Sequence, residues 1–256
     1  MDKLKFLKII TIMKKSLVII FATLSLAGCK NANRHMAVIE EDDILVNRVL
    51  TSEEQQRLTP DQVISILKEG NEEFADNRLT VRNNTERVRD ASLGQYPKAV
   101  ILSCLDSRVP VEDVFHRGIG DVFVARVAGN IVNADILGSL EYACKVSGSK
   151  LVMVLGHEYC GAIKSAIDDV EMGNVTGLLH KIRPSVEQSR TEFKGEASSS
   201  NSEFVEHVCH TNVVNMVGEI RRGSDILREM EQSGQIKIIG GVYDMHTGVV
   251  DFYEDI

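Results

Sequence analysis

The sequence has no excess of basic residues: 29 lysines and arginines stand against 37 aspartates and glutamates, a net charge of −8. Residues 1–29 hold five lysines and one aspartate, so the chain that follows them has a net charge of −12. Nucleic-acid binding depends on clustered Lys and Arg that neutralise phosphates. We therefore expect no nucleic-acid partner.

The sequence also lacks a long apolar run near its start. The run from Leu17 to Leu26 follows two lysines and is too short to span a bilayer comfortably. Lysines, a short apolar run and small residues before a cysteine form the layout of a secretory signal. The ending Leu26-Ala27-Gly28-Cys29 resembles a bacterial lipobox, in which the cysteine is acylated. We expect an exported lipoprotein, held at the cell envelope by a lipid on Cys29 and facing the periplasm. A plain signal peptide or an uncleaved anchor is the alternative.

Cysteines are few, and Cys29 belongs to the predicted signal. The four others are an even number, which in an exported protein suggests disulfides; they are Cys104, Cys144, Cys160 and Cys209. Cys104 and Cys160 lie in motifs that metal binding explains better. Cys144 and Cys209 lie in helix-like stretches, where a free cysteine behaves as a small buried hydrophobe.

The chain is predicted to contain a signal at 1–29, a polar tether and loosely packed arm at 30–58, and one domain at 59–256. A helix is expected after Thr59, because Thr-Pro-Asp-Gln supplies an N-cap, a proline at the first helical position and a capping box. An apolar stripe continues this helix to about Phe74. These features predict an N-terminal helical arm ahead of the main core.

Short apolar runs then alternate with longer amphipathic stretches. This alternation is typical of an α/β fold with a mainly parallel β-sheet core flanked by helices. Residues 190–202 carry no apolar period and are expected to form a loop. The predicted strands are Ala99–Ser103, Val122–Val127, Leu151–Leu155, Ile236–Val242 and, after a hairpin turn, Val249–Tyr253. The predicted helices are Ala134–Val146, Ala162–Met172 and Glu203–Arg222.

Two segments supply a set of metal ligands, each directly after a predicted strand. One holds Cys104, Asp106 and Arg108, and the other is Gly-His-Glu-Tyr-Cys-Gly with His157 and Cys160. The carboxyl ends of strands are where open α/β sheets place their sites. Two thiolates and one imidazole suit zinc, and a catalytic zinc keeps one further position open. Arg108 can hold the Asp106 carboxylate through a two-pronged contact near that position.

Each half of this pattern is common by itself. A closed structural zinc site is the main alternative, although it would favour a fourth Cys or His and would not need Arg108. A thiol redox protein would instead pair Cys104 with Cys160. His207, Cys209 and His210 also stand close together in the sequence. They suggest stray metal binding or a proton shuttle less readily than an ordinary helical surface.

The paired segments Ser-Cys-Leu-Asp-Ser-Arg-Val-Pro and Gly-His-Glu-Tyr-Cys-Gly-Ala-Ile resemble the signature of β-class carbonic anhydrases. The resemblance extends over roughly residues 59–256. It implies one zinc per chain on Cys104, His157 and Cys160, with Asp106 and Arg108 as a catalytic dyad. It also implies an α/β core and a homodimer or higher homo-oligomer. The implied reaction is the reversible hydration of CO2 to bicarbonate and a proton through a zinc-bound hydroxide.

The same resemblance distinguishes two subtypes of substrate pocket. The residues matching the first are Gln95, Phe123 and Tyr142, and Gly161 is expected to let the chain turn closely past the metal. The second subtype has a bicarbonate lock with a Trp three residues before the first cysteine. Ile101 stands there and the chain has no Trp, so we expect no lock although Arg126 matches its arginine. A non-catalytic zinc protein and a hydrolase of a related small molecule such as CS2 remain alternatives.

Overall fold

The computed structural model of the chain describes residues 49–78 and 84–256. Its centre is a five-stranded sheet in the order β2-β1-β3-β4-β5. The first four strands are parallel and β5 pairs antiparallel with β4. The predicted α/β fold with a mainly parallel sheet is confirmed. The strands are β1 Ala99–Ser103, β2 Val122–Arg126, β3 Leu151–His157, β4 Lys237–Tyr243 and β5 Val250–Tyr253.

Alternating side chains of the central strands enter two separate cores. On β1, Val100 and Leu102 belong to one apolar cluster, while Ala99 and Ile101 belong to the other. All seven residues of β3 are buried. Strands covered on both faces need apolar residues at every position, which is why these runs show no polar alternation. The sheet is therefore the middle layer of three.

Helices cover both faces of this sheet. The helices that precede β2 in the sequence are α1 Ser52–Arg57, α2 Pro60–Ala75, α3 Asn84–Ala91 and the short α4 Val111–Val114. After β2 come α5 Ala134–Glu141, which continues as a π-helical turn over Tyr142–Val146, then α6 Gly161–Ile167, α7 Gly173–Leu179 and α8 Arg183–Glu192. The long α9 Ser202–Gly223 and α10 Asp225–Gln232 precede β4.

The N-terminal helices pack more tightly than the polar sequence suggests. Helix α2 starts at the predicted Thr59 cap, with the capping box to Gln62 formed. In α1, the buried Gln55 amide donates to the carbonyls of Pro97 and Ser147. The end of the stretch expected as a loose arm is thus hydrogen-bonded to the core. The predicted signal, with its predicted lipidation residue Cys29, and residues 30–48 lie outside the described residues.

Several boundaries differ from the predicted ones. The helix expected over Ala162–Met172 ends at Ile167, and residues 190–192 belong to α8 rather than to a loop. Just beyond Ile167, Asp169 has a left-handed backbone with φ 52°, which ends the helical hydrogen bonding of α6. Among residues 49–78 and 84–256, the structure has no helix with the length and apolarity that membrane crossing requires.

Candidate metal centre

Neighbouring parallel strands bring the two ligand segments together. Strand β1 pairs with β3 in a register that sets Ser103 beside Leu155. Cys104 follows the end of β1, and His157 is the last residue of β3. Both therefore lie at the carboxyl edge of the sheet, as the sequence predicts. Tyr159 has a left-handed φ of 53°, which turns the chain so that Cys160, at the start of α6, faces back toward His157.

The three predicted ligands form one buried group. Their ligand atoms all lie within 4.8 Å of one another, and the sulfurs of Cys104 and Cys160 are 3.9 Å apart. Two sulfurs bound to one zinc at about 2.3 Å in tetrahedral geometry would be separated by about 3.8 Å. The distance between the sulfurs therefore suits a shared ion.

The imidazole of His157 is oriented for the same purpose. Its Nδ1 donates to the Glu158 carbonyl at 2.8 Å, which leaves Nε2 as the acceptor nitrogen. Nε2 is buried and has no hydrogen-bond partner. A buried nitrogen without a partner is costly unless a cation or donor satisfies it. The donor set and this free nitrogen both fit a zinc ion.

The two thiols differ in acidity. The hydrogen bond from Cys160 lowers the pKa of the Cys104 thiol to about 4, against the opposing effect of burial. The same bond, together with burial, raises the pKa of the Cys160 thiol. Of the two thiols, Cys104 therefore ionises the more readily, and a thiolate is the form that binds metal. A cation in the group would favour ionisation of the second thiol as well.

Asp106 and Arg108 form the predicted pair beside the ligands. Arg108 donates from Nε and from a terminal nitrogen to the two carboxylate oxygens at 2.9 and 2.7 Å, and its backbone N–H adds a third bond. These bonds lower the pKa of Asp106 to about 2. One oxygen of Asp106 lies 3.9 Å from Nε2 of His157. An ionised carboxylate is thus held next to the nitrogen that faces the metal position.

Arg126 has a role that the sequence reasoning missed. Its guanidinium donates to the backbone carbonyl of Cys104 at 2.9 Å and to that of Asp106. It therefore holds the loop that carries one ligand and the acidic residue. Its position as the last residue of β2, next to β1, is the only signal in the sequence that suggests this contact.

Cys209 is buried, as expected for a free cysteine in a helix-like stretch, and is not part of the helical surface that its flanking histidines suggested. Its thiol donates to the His157 carbonyl at 3.2 Å, and burial raises its pKa to about 12. Helix α9 packs closely against the end of β3 here. A Cβ at Gly156 would lie only 2.6 Å from Cγ2 of Val213. Cys209 and Val213, in the stretch predicted as an amphipathic helix, thus face strand β3, which ends at the predicted ligand His157. Cys144 is also buried, as predicted.

Two of the three predicted pocket residues line a cavity that none of the predicted ligands lines. Phe123 and Tyr142 line a shared cavity of about 630 Å³ together with Val100 and Ala134, and no predicted ligand lines it. Tyr142 is 51% exposed. Gln95 is exposed in the segment before β1. A cavity shared by two of them was predictable only through the family resemblance.

Gly161 differs from the expectation for its position, whereas His207 and His210 lie partly exposed on α9, as expected for a helical surface. A Cβ at Gly161 would meet nothing within 4 Å, so the close turn that we expected there is provided by Tyr159. His210 contacts the Tyr253 hydroxyl, and His207 packs against Phe193. His246 is exposed beside Glu158 and Asp244, whose carboxylates already accept backbone N–H groups.

The fold and the ligand set define an α/β protein in which two cysteines and one histidine could hold a metal ion at the carboxyl edge of the sheet. A family model described as carbonic anhydrase matches residues 99–250. Carbonic anhydrase 2 of Mycobacterium tuberculosis is 34% identical over 188 residues, covering 71% of this chain and 87% of the relative. The chain belongs to the β-class carbonic anhydrase family.

Solved structures show the same fold. The β-carbonic anhydrase of Coccomyxa, solved in complex with acetazolamide, is 26% identical with a TM-score of 0.59, covering 74% of this chain and 85% of that chain. A β-carbonic anhydrase of Sordaria macrospora, described as tetrameric, is 23% identical with a TM-score of 0.60, covering 66% and 86%.

Proposed function

We propose that this chain catalyses the reversible hydration of CO2 to bicarbonate and a proton, using one zinc ion on Cys104, His157 and Cys160. The observation that supports this most is the buried three-ligand group with its unpartnered Nε2, in a member of this family. A zinc ion held by these three residues would supply the acidity that the reaction needs, by lowering the pKa of a water molecule to about 7, a value taken from a carbonic anhydrase with three histidine ligands.

The chain's own residues would orient the reacting oxygen. Asp106 stays ionised because Arg108 occupies both of its oxygens from the solvent side. An ionised carboxylate accepts a hydrogen bond, so it can accept one from the attacking oxygen and thereby direct that oxygen's lone pair toward CO2. Arg126 fixes the backbone on both sides of Leu105 and thereby the distance between Cys104 and Asp106. Orientation of this kind costs nothing at the moment of reaction, since the groups are placed beforehand.

We propose further that the active form is a homodimer or a larger homo-oligomer. Within one chain, Phe123 and Tyr142 line a cavity that no ligand lines, Gln95 is exposed, and Tyr142 is half exposed. A second copy would bring these side chains to its neighbour's metal centre and complete an apolar pocket for an uncharged, small substrate. Analytical sedimentation would give the number of copies in the assembly. In protein dissociated into single chains, Tyr142→Ala should cause no loss of CO2 hydration beyond the loss that dissociation itself causes.

The location of the protein is a separate proposal. The order of lysines, apolar run and Leu-Ala-Gly-Cys supports export and acylation at Cys29. Attachment by two acyl chains gives stable membrane binding where one does not. After fractionation, the parent protein should sediment with membranes and resist high salt, whereas Cys29→Ala should not. Full-length protein in the cytoplasm would contradict the proposal.

The catalytic proposal is tested with a matched pair of cysteine variants. Cys104→Ser removes a ligand, so it should lose zinc and CO2 hydration together. Cys144→Ser removes an equally buried thiol outside the group and should keep both. Hydration by a zinc-free Cys104→Ser protein at the parental rate would refute the proposal.

A further inference from the structure

The metal ligand Cys104 receives a hydrogen bond from a tight turn. The backbone N–H of Gly129 donates to its sulfur, with a separation of 3.3 Å. Gly129 lies in a short 3-10 turn over Ala128–Asn130, with φ 69° and ψ 19°. A Cβ there would lie 2.5 Å from Cδ1 of Ile182, so only glycine fits both the backbone and the space. The direction of the N–H therefore depends on how this turn is held.

The turn is held from helix α9. The side-chain amide of Asn212 donates to the carbonyl of Gly129 at 3.0 Å. Asn212 is 1% exposed, and burying a side-chain amide costs free energy unless its hydrogen bonds are made. Gly129 thus uses its carbonyl for Asn212 and its N–H for Cys104. Fixing one of these adjacent peptide groups restricts the other.

A second buried residue fixes the orientation of this amide. The hydroxyl of Ser185, on α8, donates to Oδ1 of Asn212 at 3.3 Å. A hydroxyl donor pairs with the oxygen of the amide, so the NH2 group must face Gly129. Ser185 is fully buried and in turn accepts from Asn215. The contacts form a continuous path from α8 to the metal ligand.

We propose that Asn212 is a positioning residue for the metal centre, acting on the Cys104 thiolate through the Gly129 turn. The inference rests on the zinc site of the proposed function. With Asn212 in place, the N–H of Gly129 stays directed at the sulfur and stabilises its ionised form. Outer contacts of this kind orient first ligands, and losing one costs about 10–100-fold in metal affinity.

Thr211 provides the matched control. It is the neighbouring residue on α9, is 8% exposed, and also makes buried polar bonds. Its hydroxyl accepts from Ser189 on α8 and donates to the His207 carbonyl. The first bond joins the same two helices and the second lies within α9, but neither reaches Gly129 or a ligand. Thr211→Val therefore reports the cost of losing a buried hydroxyl between α8 and α9.

The experiment compares zinc affinity in the purified full chain, by competition with a chromophoric chelator. Asn212→Leu should bind zinc about 10–100-fold more weakly than the parent protein. Ser185→Ala should show a smaller loss in the same direction, and Thr211→Val should bind like the parent. In cobalt-substituted protein, the thiolate-to-metal charge-transfer band should move to longer wavelength in Asn212→Leu and by less in Ser185→Ala, but not in Thr211→Val, since a sulfur without its N–H donor gives up charge more readily.

A folded Asn212→Leu protein with the zinc affinity and cobalt band of Thr211→Val would overturn the inference. If Asn212→Leu does not fold, Ser185→Ala decides: parental affinity and an unmoved band overturn the inference, and weaker binding supports it. A parent protein that binds zinc without hydrating CO2 would refute the proposed function and leave this comparison valid. A parent protein that binds no zinc would overturn both.

Discussion

Gly156 is a position where helix α9 and strand β3 approach each other closely, so Gly156→Ala tests how this packing supports the centre. A Cβ there would lie 2.6 Å from Cγ2 of Val213 and 3.1 Å from Sγ of Cys209. Overpacking of this kind costs about 1–3 kcal/mol. Gly156 does not have a positive φ, so alanine itself is tolerated and recovers about 0.4–1 kcal/mol by restricting the unfolded chain. We expect a net loss of about 1–2 kcal/mol in the free energy of unfolding.

Urea unfolding measures this loss, and two further variants show its cause. Val213→Ala removes the clashing methyl group, so the double variant should be at least about 0.5 kcal/mol more stable than the sum of the single changes. Gly177→Ala, in α7, meets nothing within 4 Å and should be neutral or stabilising. Because Gly156 precedes His157, zinc binding should weaken along with stability. A Gly156→Ala protein as stable as the parent, or strictly additive effects, would refute the reasoning.

Three other predictions follow from the described contacts. Asp106→Asn should keep zinc but lose about 10²–10⁴-fold in CO2 hydration, measured by stopped flow; parental turnover would remove Asp106 from the mechanism. Asp121→Asn leaves the buried cations Lys98 and Arg87 without their carboxylate partner, so it should lower the free energy of unfolding in urea by about 3–5 kcal/mol. Asp61→Asn removes an exposed carboxylate and should lower it by under about 1 kcal/mol. Burial raises the pKa of Cys144 to about 12, so this thiol should resist alkylation in the folded protein at pH 8.

The Asp121 prediction has a pH dependence of definite sign. Burial opposes ionisation of this carboxyl, but Lys98 and the Gly118 N–H outweigh it and lower its pKa. A carboxyl with a lowered folded pKa stabilises the fold fully above its unfolded pKa of about 4. That contribution is lost as the pH falls through the folded pKa. Asp121→Asn should therefore flatten the acid side of the stability curve, and an unchanged acid side would contradict this assignment.

The strands, the first long helix and the ligand set were predictable because each leaves a local pattern. Strand β3 reads as an uninterrupted apolar run, and Thr59 to Gln62 spells a helix start. Helix α3 leaves no such pattern, since its buried residue is Arg87, which pairs with Asp121. An apolar stripe cannot reveal a helix that is anchored by a buried ion pair.

The surroundings of the ligands were not predictable for a related reason. Arg126, Cys209 and Asn212 act on backbone groups that lie 20 to 83 residues away in the sequence. Such bonds depend on how elements pack, and no local spacing encodes them. The spacing of Cys104 and Asp106 was informative because both follow one strand end. Spacing was misleading for Gly161, where the turn is made by the preceding tyrosine instead.

The central claim is that CO2 hydration by this chain depends on zinc held by Cys104, His157 and Cys160. The most direct measurement removes zinc with a chelator, returns it in steps, and records hydration against bound zinc. We predict that activity disappears with the metal and rises in proportion to zinc, reaching its maximum at about one ion per chain. Hydration that persists in zinc-free protein, or its absence from fully loaded protein, would contradict the claim.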